Sequence, residues 1–487
     1  MDRMSEHTTK RPGFLIWSRA RGVRPSEKVL LDYRVRFVLL ILFVLSLHSS
    51  SAPCFSQSPQ DFSGSQGFVV VADRANGVQT SSGRVLTVAE AVRLAEQGNP
   101  QLRDAIWAVS AARGRLLQSR LYPNPTLSIN GEELADPEGP GIWTAPFVAQ
   151  ELVAPGKRSL DQAIAHCELE RTRCLVAAEW RKLVAAVRRA YCEALLAERR
   201  AETYRELVAV AEASLKQSRA LLESRQGTRL EVVQFELQVE RLRAQQEAAE
   251  RQIPFQREKL AAAIGSRIPG DVSFEDVFSL PLPEYNWDAL LQQVLASHPD
   301  VSAAQWEVQR ARYLSERMRK EKWPNVTVGA GYTRQNETRG DDWTLGVSVP
   351  LPLWDRNQGN ILAADAQVSQ ALERVRQVKE DLRDQLATAF REYAAARKRV
   401  QRYEQDILPR VREAVQLSMQ GYTGGVMEYL RVLEAQRSEI ETRLDYLASL
   451  GDAWQAAAQI SGIVGEKAWP ARDQASPAAQ TETTGKP

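Results

Sequence analysis

The sequence predicts a mainly α-helical protein with a small β part, built as two copies of one helix–strand–strand–long helix–helix plan. Three observations predict it. Similar segments recur about 200 residues apart: Asn99-Pro100-Gln101-Leu102 answers His298-Pro299-Asp300-Val301, and Pro123-Asn124-Pro125-Thr126-Leu127 answers Pro324-Asn325-Val326-Thr327-Val328. Two very long stretches rich in Ala, Leu, Glu, Arg and Gln carry apolar residues at spacings of three and four. Each copy also holds two short segments that alternate apolar and small or polar residues.

The chain has 487 residues, 44% hydrophobic and 25% charged, with a formal net charge of +2. Near-balanced charge gives no electrostatic case for nucleic acid and shows no polybasic membrane tether. At the N-terminus, Arg34 and Arg36 precede an apolar run from Phe37 to Leu47, followed by Ser49, Ser50, Ser51 and Ala52. Basic, apolar, then small is the layout of a secretory signal. The run is shorter than the roughly 20 apolar residues of a spanning helix. Residues 1–54 therefore read as an N-terminal extension and signal, with a true start near Val29 or Val35, and 55–84 as a flexible segment. Cys54 is a possible lipidation site, although Ser51-Ala52-Pro53 departs from the usual residues before a lipidated cysteine. Cys167, Cys174 and Cys192 share one predicted helix. Cys167 and Cys174 stand about 10 Å apart along its axis, too far for a disulfide.

The first copy is expected over 85–265. A helix (88–121) stops at Pro123-Asn124, strands follow at 125–134 and 142–152, then a long helix (158–224), a glycine break and a helix (229–264). Val184, Val187, Tyr191 and Leu195 form one apolar stripe on the long helix. At about 1.5 Å per residue it reaches roughly 100 Å, a length suited to coiled-coil packing. Residues 266–285, rich in Pro, Gly and Asp, link the copies. The second copy, 286–465, repeats the plan: helix 286–322, strands 325–334 and 342–350, long helix 358–420, helix 427–464. Residues 466–487 read as a flexible tail.

Val326, Val328, Ala330 and Tyr332 alternate with Thr327, Gly329, Gly331 and Thr333, and Trp343, Leu345, Val347 and Val349 with Thr344, Gly346 and Ser348. In the first copy Leu127 and Ile129 oppose Thr126, Ser128 and Asn130. Strands of about ten residues match the length that crosses a hydrocarbon layer when tilted. Trp143, Trp323, Trp343, Trp354 and Tyr122 lie at strand ends, as an aromatic girdle does. A soluble hairpin with one face on a core has the same alternation. Pro146, inside a strand, requires an edge or an irregularity. Four strands cannot close a membrane barrel, so several chains must pool them; three chains give about twelve strands and an open lumen, two give about eight and a filled one.

With these features the sequence resembles the TolC-like outer-membrane efflux proteins over nearly all of 85–465. The resemblance rests on Leu86-Thr87-Val88-Ala89-Glu90-Ala91, on Pro123-Asn124-Pro125, and on Gly421-Tyr422-Thr423-Gly424-Gly425 before Tyr429-Leu430-Arg431-Val432-Leu433-Glu434-Ala435-Gln436. It implies a homotrimer, a twelve-stranded outer-membrane β-barrel continued by a periplasmic α-helical barrel, and contact with outer-membrane lipid. The breaks at Gly227, Thr228, Gly424 and Gly425 become hairpin tips that meet a periplasmic adaptor, which joins an inner-membrane pump of the RND type. Glycines suit a tight turn that needs φ > 0. Family channels are closed at the tip by acidic rings; the matching positions here are Arg431 and Glu434. Glu434 fits and Arg431 departs, which suggests a gate of paired charges or, equally, a solvated helix face. Pro350-Leu351-Pro352-Leu353-Trp354-Asp355-Arg356-Asn357-Gln358-Gly359 and Leu152-Val153-Ala154-Pro155-Gly156-Lys157-Arg158 are similar to the outer-membrane members of cobalt-zinc-cadmium efflux systems.

No phosphate-binding loop, dinucleotide fingerprint, His-Glu-x-x-His or Cys-x-x-Cys occurs, so no enzyme, cofactor or tight metal site is expected. His166 and His298 are the only histidines beyond the signal. The reading is a passive outer-membrane duct for small toxic solutes, heavy-metal cations foremost, with drug efflux or type I secretion as alternatives. From other classes, a periplasmic adaptor would have one hairpin between β-rich domains, and a coiled-coil structural protein would leave the paired strands unexplained.

Overall fold

The computed structural model describes residues 85–132, 141–225, 227–269, 272–335, 340–424, 426–466 and 469–470. They belong to one compact unit, residues 79–487. The signal segment, Cys54 and residues 55–84 lie outside the described residues, as do Gly425 and most of the tail.

The chain opens with β1 (Val85–Leu86), α1 (Val88–Gly98) and α2 (Pro100–Ser119). Strands β2 (Thr126–Glu132) and β3 (Ile142–Leu152) follow, then α3 (Lys157–Glu223) and α4 (Arg229–Ile264). The link holds β4 (Ser273–Phe274) and a 3₁₀ turn, Val277–Ser279. The second copy gives α5 (Trp287–Ser297), α6 (Pro299–Lys320), β5 (Val326–Gln335), β6 (Gly340–Ser348), α7 (Gln358–Arg402), a π-helical turn Tyr403–Ile407, α8 (Leu408–Thr423) and α9 (Tyr429–Val464).

Two sequence expectations need correction. The opening helix of each copy is two helices. Proline biases its predecessor away from helical ψ, and Asn99 and His298 sit at ψ 123 and 133. Each then caps the next helix: Asn99 Oδ1 accepts from the Gln101 and Leu102 N–H groups, and His298 Nδ1 accepts from Asp300 N–H. The second long helix is not continuous either. Pro409 has no N–H, and the π turn just before it absorbs the lost hydrogen bond; α3 runs unbroken for 67 residues. The link between copies is docked: Val272 and Val277 are buried, Arg199 pairs with Asp276 at 2.6 Å, and Tyr191 Oη lies 2.7 Å from Leu86 O and 3.0 Å from Glu275 O. Tyr393, at the corresponding place in α7, donates to Pro283 O.

The main core sits where the two copies meet the link. Val187, Tyr191, Leu260, Leu386, Trp454 and Ile460 are fully or almost fully buried there, and Val184 and Leu195 of the expected stripe are buried too. Gly265 and Gly465 end α4 and α9 with φ of 77° and 83°, which favours glycine. Side by side the helices run α2–α3–α6–α7 toward the strands, and α4–α3–α9–α8 toward the hairpin tips. In both arrangements the outer helices have one side with no partner among the described residues.

Candidate channel wall and hairpin tips

The four long strands form one antiparallel sheet in the order β2-β3-β5-β6. Pairing is regular between β5 and β6, from Thr327↔Ser348 to Gln335↔Gly340. Pro146 stands at a register shift between Thr144 and Phe147, the irregularity its missing N–H demands. The sheet's two faces differ in chemistry. One carries Leu127, Ile129, Val148, Val328, Leu345 and Val347, all exposed, with Leu345 at 80%. Trp143, Tyr332 and Trp343 edge this face at the loop end, and Tyr122, Trp323 and Trp354 lie at the helix end. The other face is small and polar. The Thr144, Thr333 and Thr344 hydroxyls form a chain across three strands, and the Phe147 ring lies over Gly329, Gly331 and Gly346. A Cβ on Gly329 would stand 2.5 Å from Phe147 Cζ, so glycine is required there by space.

The strands are tied to the helices by a polar junction. Lys157, 1% exposed, donates to Glu321 Oε1 and Asn325 Oδ1, both at 3.1 Å. Asn325 Oδ1 also accepts from Ala154 N–H, and its Nδ2 donates to Glu151. Burial alone would raise the Glu321 carboxyl; the Arg317 and Lys157 hydrogen bonds outweigh it and hold the group below the usual carboxylate range. Lys157 thereby joins the first copy's long helix to the second copy's strand junction.

At the opposite end, α3 turns into α4 through Arg225, whose φ is 58°. The sequence placed the left-handed residue at the glycine, and this is a correction. Gly227 is needed for closeness: its N–H donates to Leu221 O at 3.0 Å, and a Cβ would meet Leu222 N at 3.2 Å. Gly424, with φ −79°, caps α8 in the helical region. Thr228 caps α4 by accepting from Glu231 N–H, and its hydroxyl donates to Glu231 Oε1 at 3.0 Å. The other carboxylate oxygen accepts from Tyr422 of the second hairpin at 2.9 Å. Burial, and then this bond, keep the Tyr422 phenol above its usual pKa. Two further ties join the hairpins, Gln436 Nε2 to Ser214 Oγ at 2.7 Å and Arg443 to Glu206 at 3.4 Å.

Arg431 and Glu434 form a 3.2 Å ion pair within α9, one turn apart and both exposed. They sit opposite the face with which α9 meets α3, where Val432, Gln436 and Glu439 are buried. Their exposed stripe continues through Ser438, Glu441 and Asp445. The Tyr422–Glu231 tie escaped the sequence reading. The Thr-x-x-Glu spacing of a capping box is the local signal that could have pointed to Glu231, but nothing local says that its second oxygen meets another hairpin. Among the described residues no helix is long and apolar enough to cross a membrane, and no group of three or more His, Cys, Asp or Glu could hold a metal ion.

The profile of the family described as outer membrane efflux protein matches residues 91–266 and 290–466, one match per copy. The chain belongs to this family. It is an outer-membrane efflux protein, with its helices on the periplasmic side. It is 29% identical to the cobalt-zinc-cadmium resistance protein CzcC of Cupriavidus metallidurans, over 78% of this chain and 90% of that one. The toluene efflux pump outer membrane protein TtgF of Pseudomonas putida is 25% identical, over 74% and 79% of the two chains. Among solved structures, CusC superposes with a TM-score of 0.67 at 18% identity, covering 80% of this chain and 95% of that one. The open state of the Neisseria gonorrhoeae MtrE outer membrane channel gives 0.66 at 19% identity, covering 78% and 88%. These two likenesses concern the fold.

Proposed function

We propose that three copies of this efflux protein close into one conduit: a twelve-stranded barrel in the outer membrane, continued by a periplasmic helical barrel. The carrying observation is the sheet itself. Among the described residues its apolar face has no protein against it and its edges β2 and β6 are unpaired. In hydrocarbon an open edge is intolerable, because backbone N–H and C=O groups have no water to bond. Antiparallel order lets β6 of one copy pair with β2 of the next, a head-to-tail contact that closes as a ring. The open sides of α2 and α7, and of α4 and α8, meet in the same closure.

In this reading the tips around Gly227, Thr228, Gly424 and Gly425 meet a periplasmic adaptor, which couples the duct to an inner-membrane pump supplying energy and selectivity. Cargo passes through without tight binding; heavy-metal cations are favoured by the CzcC likeness, and organic solutes are the alternative carried by TtgF. The Tyr422–Glu231 tie holds the hairpins of one protomer together, and Arg431 and Glu434 form a charged ring at the narrow end. Planar-bilayer recording with cross-linking tests the conduit: trimers with discrete conductance are expected, and a monomer that does not conduct refutes it. Arg431→Ala should change conductance or ion selectivity; wild-type behaviour removes the charged ring. Deleting the gene and challenging cells with zinc, cobalt and cadmium beside dyes and detergents assigns the cargo.

A further inference from the structure

Immediately beyond the apolar band, separate segments bring cations to one level. The last turn of α6 carries Arg317, Arg319 and Lys320, and Lys322 and Trp323 follow. Arg120 and Tyr122 come from the end of α2, and Leu351, Leu353, Trp354 and Arg356 from the segment before α7. Side-chain contacts fix the level. Asn357 Nδ2 donates to Met318 O at 2.9 Å, Lys320 Nζ reaches over Gly156, and Arg158 stacks 3.4 Å from the Tyr122 ring centroid while donating to Arg120 O.

Two of these cations are engaged: Arg317 with Asp161 and Glu321, and Arg319 with Asp365. Arg120, Lys320, Lys322 and Arg356 are exposed and enter no ion pair among the described residues. The carboxylates here without a cation partner, again among the described residues, are Asp355, Glu151, which accepts from Asn325 Nδ2, and, one turn further from the strands, Glu316. A helix C-terminus attracts cations, and that accounts for Lys320. It also reaches Arg120, the C-cap of α2, and Lys322, one residue past the C-cap of α6, but it does not account for Arg356, which precedes the N-terminus of α7. Nor does a merely solvated collar explain the apolar side chains among them: Leu351 is 73% exposed, Trp323 70% and Trp354 88%. At the loop end of the sheet the described exposed charges are instead mainly acidic: Glu132, Asp341 and Asp342, with Arg334.

We propose that this collar binds the headgroups of anionic glycerophospholipids in the leaflet from which the helices depart. The aromatic and leucine side chains enter the acyl boundary, and Arg120, Lys320, Lys322 and Arg356 meet the phosphates. The occupant follows from continuity with the lipid-facing strands and from the sign of the charge. The inference rests on the membrane-spanning reading above.

The test uses the full-length channel in mixed micelles, with phosphatidylglycerol and phosphatidylcholine of identical acyl chains as probes and native mass spectrometry as readout. Wild type should retain phosphatidylglycerol roughly 25-fold better or more at low salt, at roughly fivefold for each of two or more engaged cations, and lose the preference as salt rises. With Arg120 left in place, Lys320→Gln/Lys322→Gln/Arg356→Gln should cut it to roughly fivefold or less, while Lys320→Arg/Lys322→Arg keeps it. If the triple variant does not fold, Lys322→Gln and Arg356→Gln singly should each weaken the preference. Equal retention of both lipids by wild type, or an unchanged preference in the glutamine variants, overturns the collar. Conductance in pure phosphatidylcholine bilayers separates the two ideas: a conducting channel without lipid preference sinks the collar alone, and a non-conducting one sinks the conduit.

Discussion

Tyr422→Phe removes one oxygen atom and with it the hydrogen bond between the two hairpin tips of a protomer. That hydroxyl donates to Glu231 Oε2 at 2.9 Å, while Glu231 Oε1 keeps Thr228 at 3.0 Å. Neither Tyr422 nor Glu231 is fully buried, so water can take the vacated position and no orphaned group remains. The loss therefore lies at the low end for a bond to a charged acceptor, about 1.5 kcal/mol, or roughly tenfold in the balance between tied and untied tips. In the proposed trimer, protomers that open together multiply the factors toward roughly a thousandfold; independent opening leaves roughly tenfold. Open probability in planar bilayers reads this directly, and cellular uptake of a large, normally excluded solute reads it in the membrane. Glu231→Gln, which keeps an acceptor oxygen without the charge, should fall between wild type and Tyr422→Phe. Unchanged open probability and uptake, in a Tyr422→Phe trimer as stable as wild type, would refute the reasoning.

Acid should weaken the His298 cap. Burial, helped by Arg181 and Lys182 and opposed by Asp300, lowers the His298 pKa from 6.5 to about 4. Because the unfolded chain takes up the proton first, this stabilisation is complete above pH 6.5 and is lost as pH falls toward 4. The thermal midpoint of wild type relative to His298→Asn should accordingly drop between pH 7 and pH 4.5, by an amount a pH series of melts will show. Gly329→Ala should cost about 1–3 kcal/mol through collision with Phe147, and Phe147→Ala should relieve most of it in a double-mutant cycle read by unfolding. Lys157→Met should cost about 2 kcal/mol, below the value for a fully buried pair because Glu321 remains partly hydrated; denaturant unfolding of the assembled protein measures it, and a neutral result removes Lys157 from the junction.

Elements governed by neighbours in sequence were legible. The stripe Val184–Val187–Tyr191–Leu195 is buried because a 3.6-residue period puts those side chains on one face whatever lies opposite. Alternation gave the strands and their two faces, and Pro146 announced its irregularity. Local chemistry also holds signals that the apolar spacing overrides. Asn99-Pro100 and His298-Pro299 mark helix starts inside stretches whose spacing alone predicts one helix. Pro409 marked the break before α8, but its spacing alone does not say that a π turn absorbs it.

The sequence by itself determined the duplicated plan, the long helices, the membrane-length strands and the family resemblance, since each depends on periodicity or on residues close along the chain. The tertiary structure alone decided which groups meet across it. Glu231 and Tyr422 are 191 residues apart, and Lys157 and Asn325 are 168 apart. No spacing rule connects such pairs; only the packing of one copy against the other does. The cationic collar has the same origin. The net charge of +2 concealed it, and the basic run Arg317–Lys322 shows only part of it, because Arg120 and Arg356 join that run only when both copies end their helices at the same edge of the sheet.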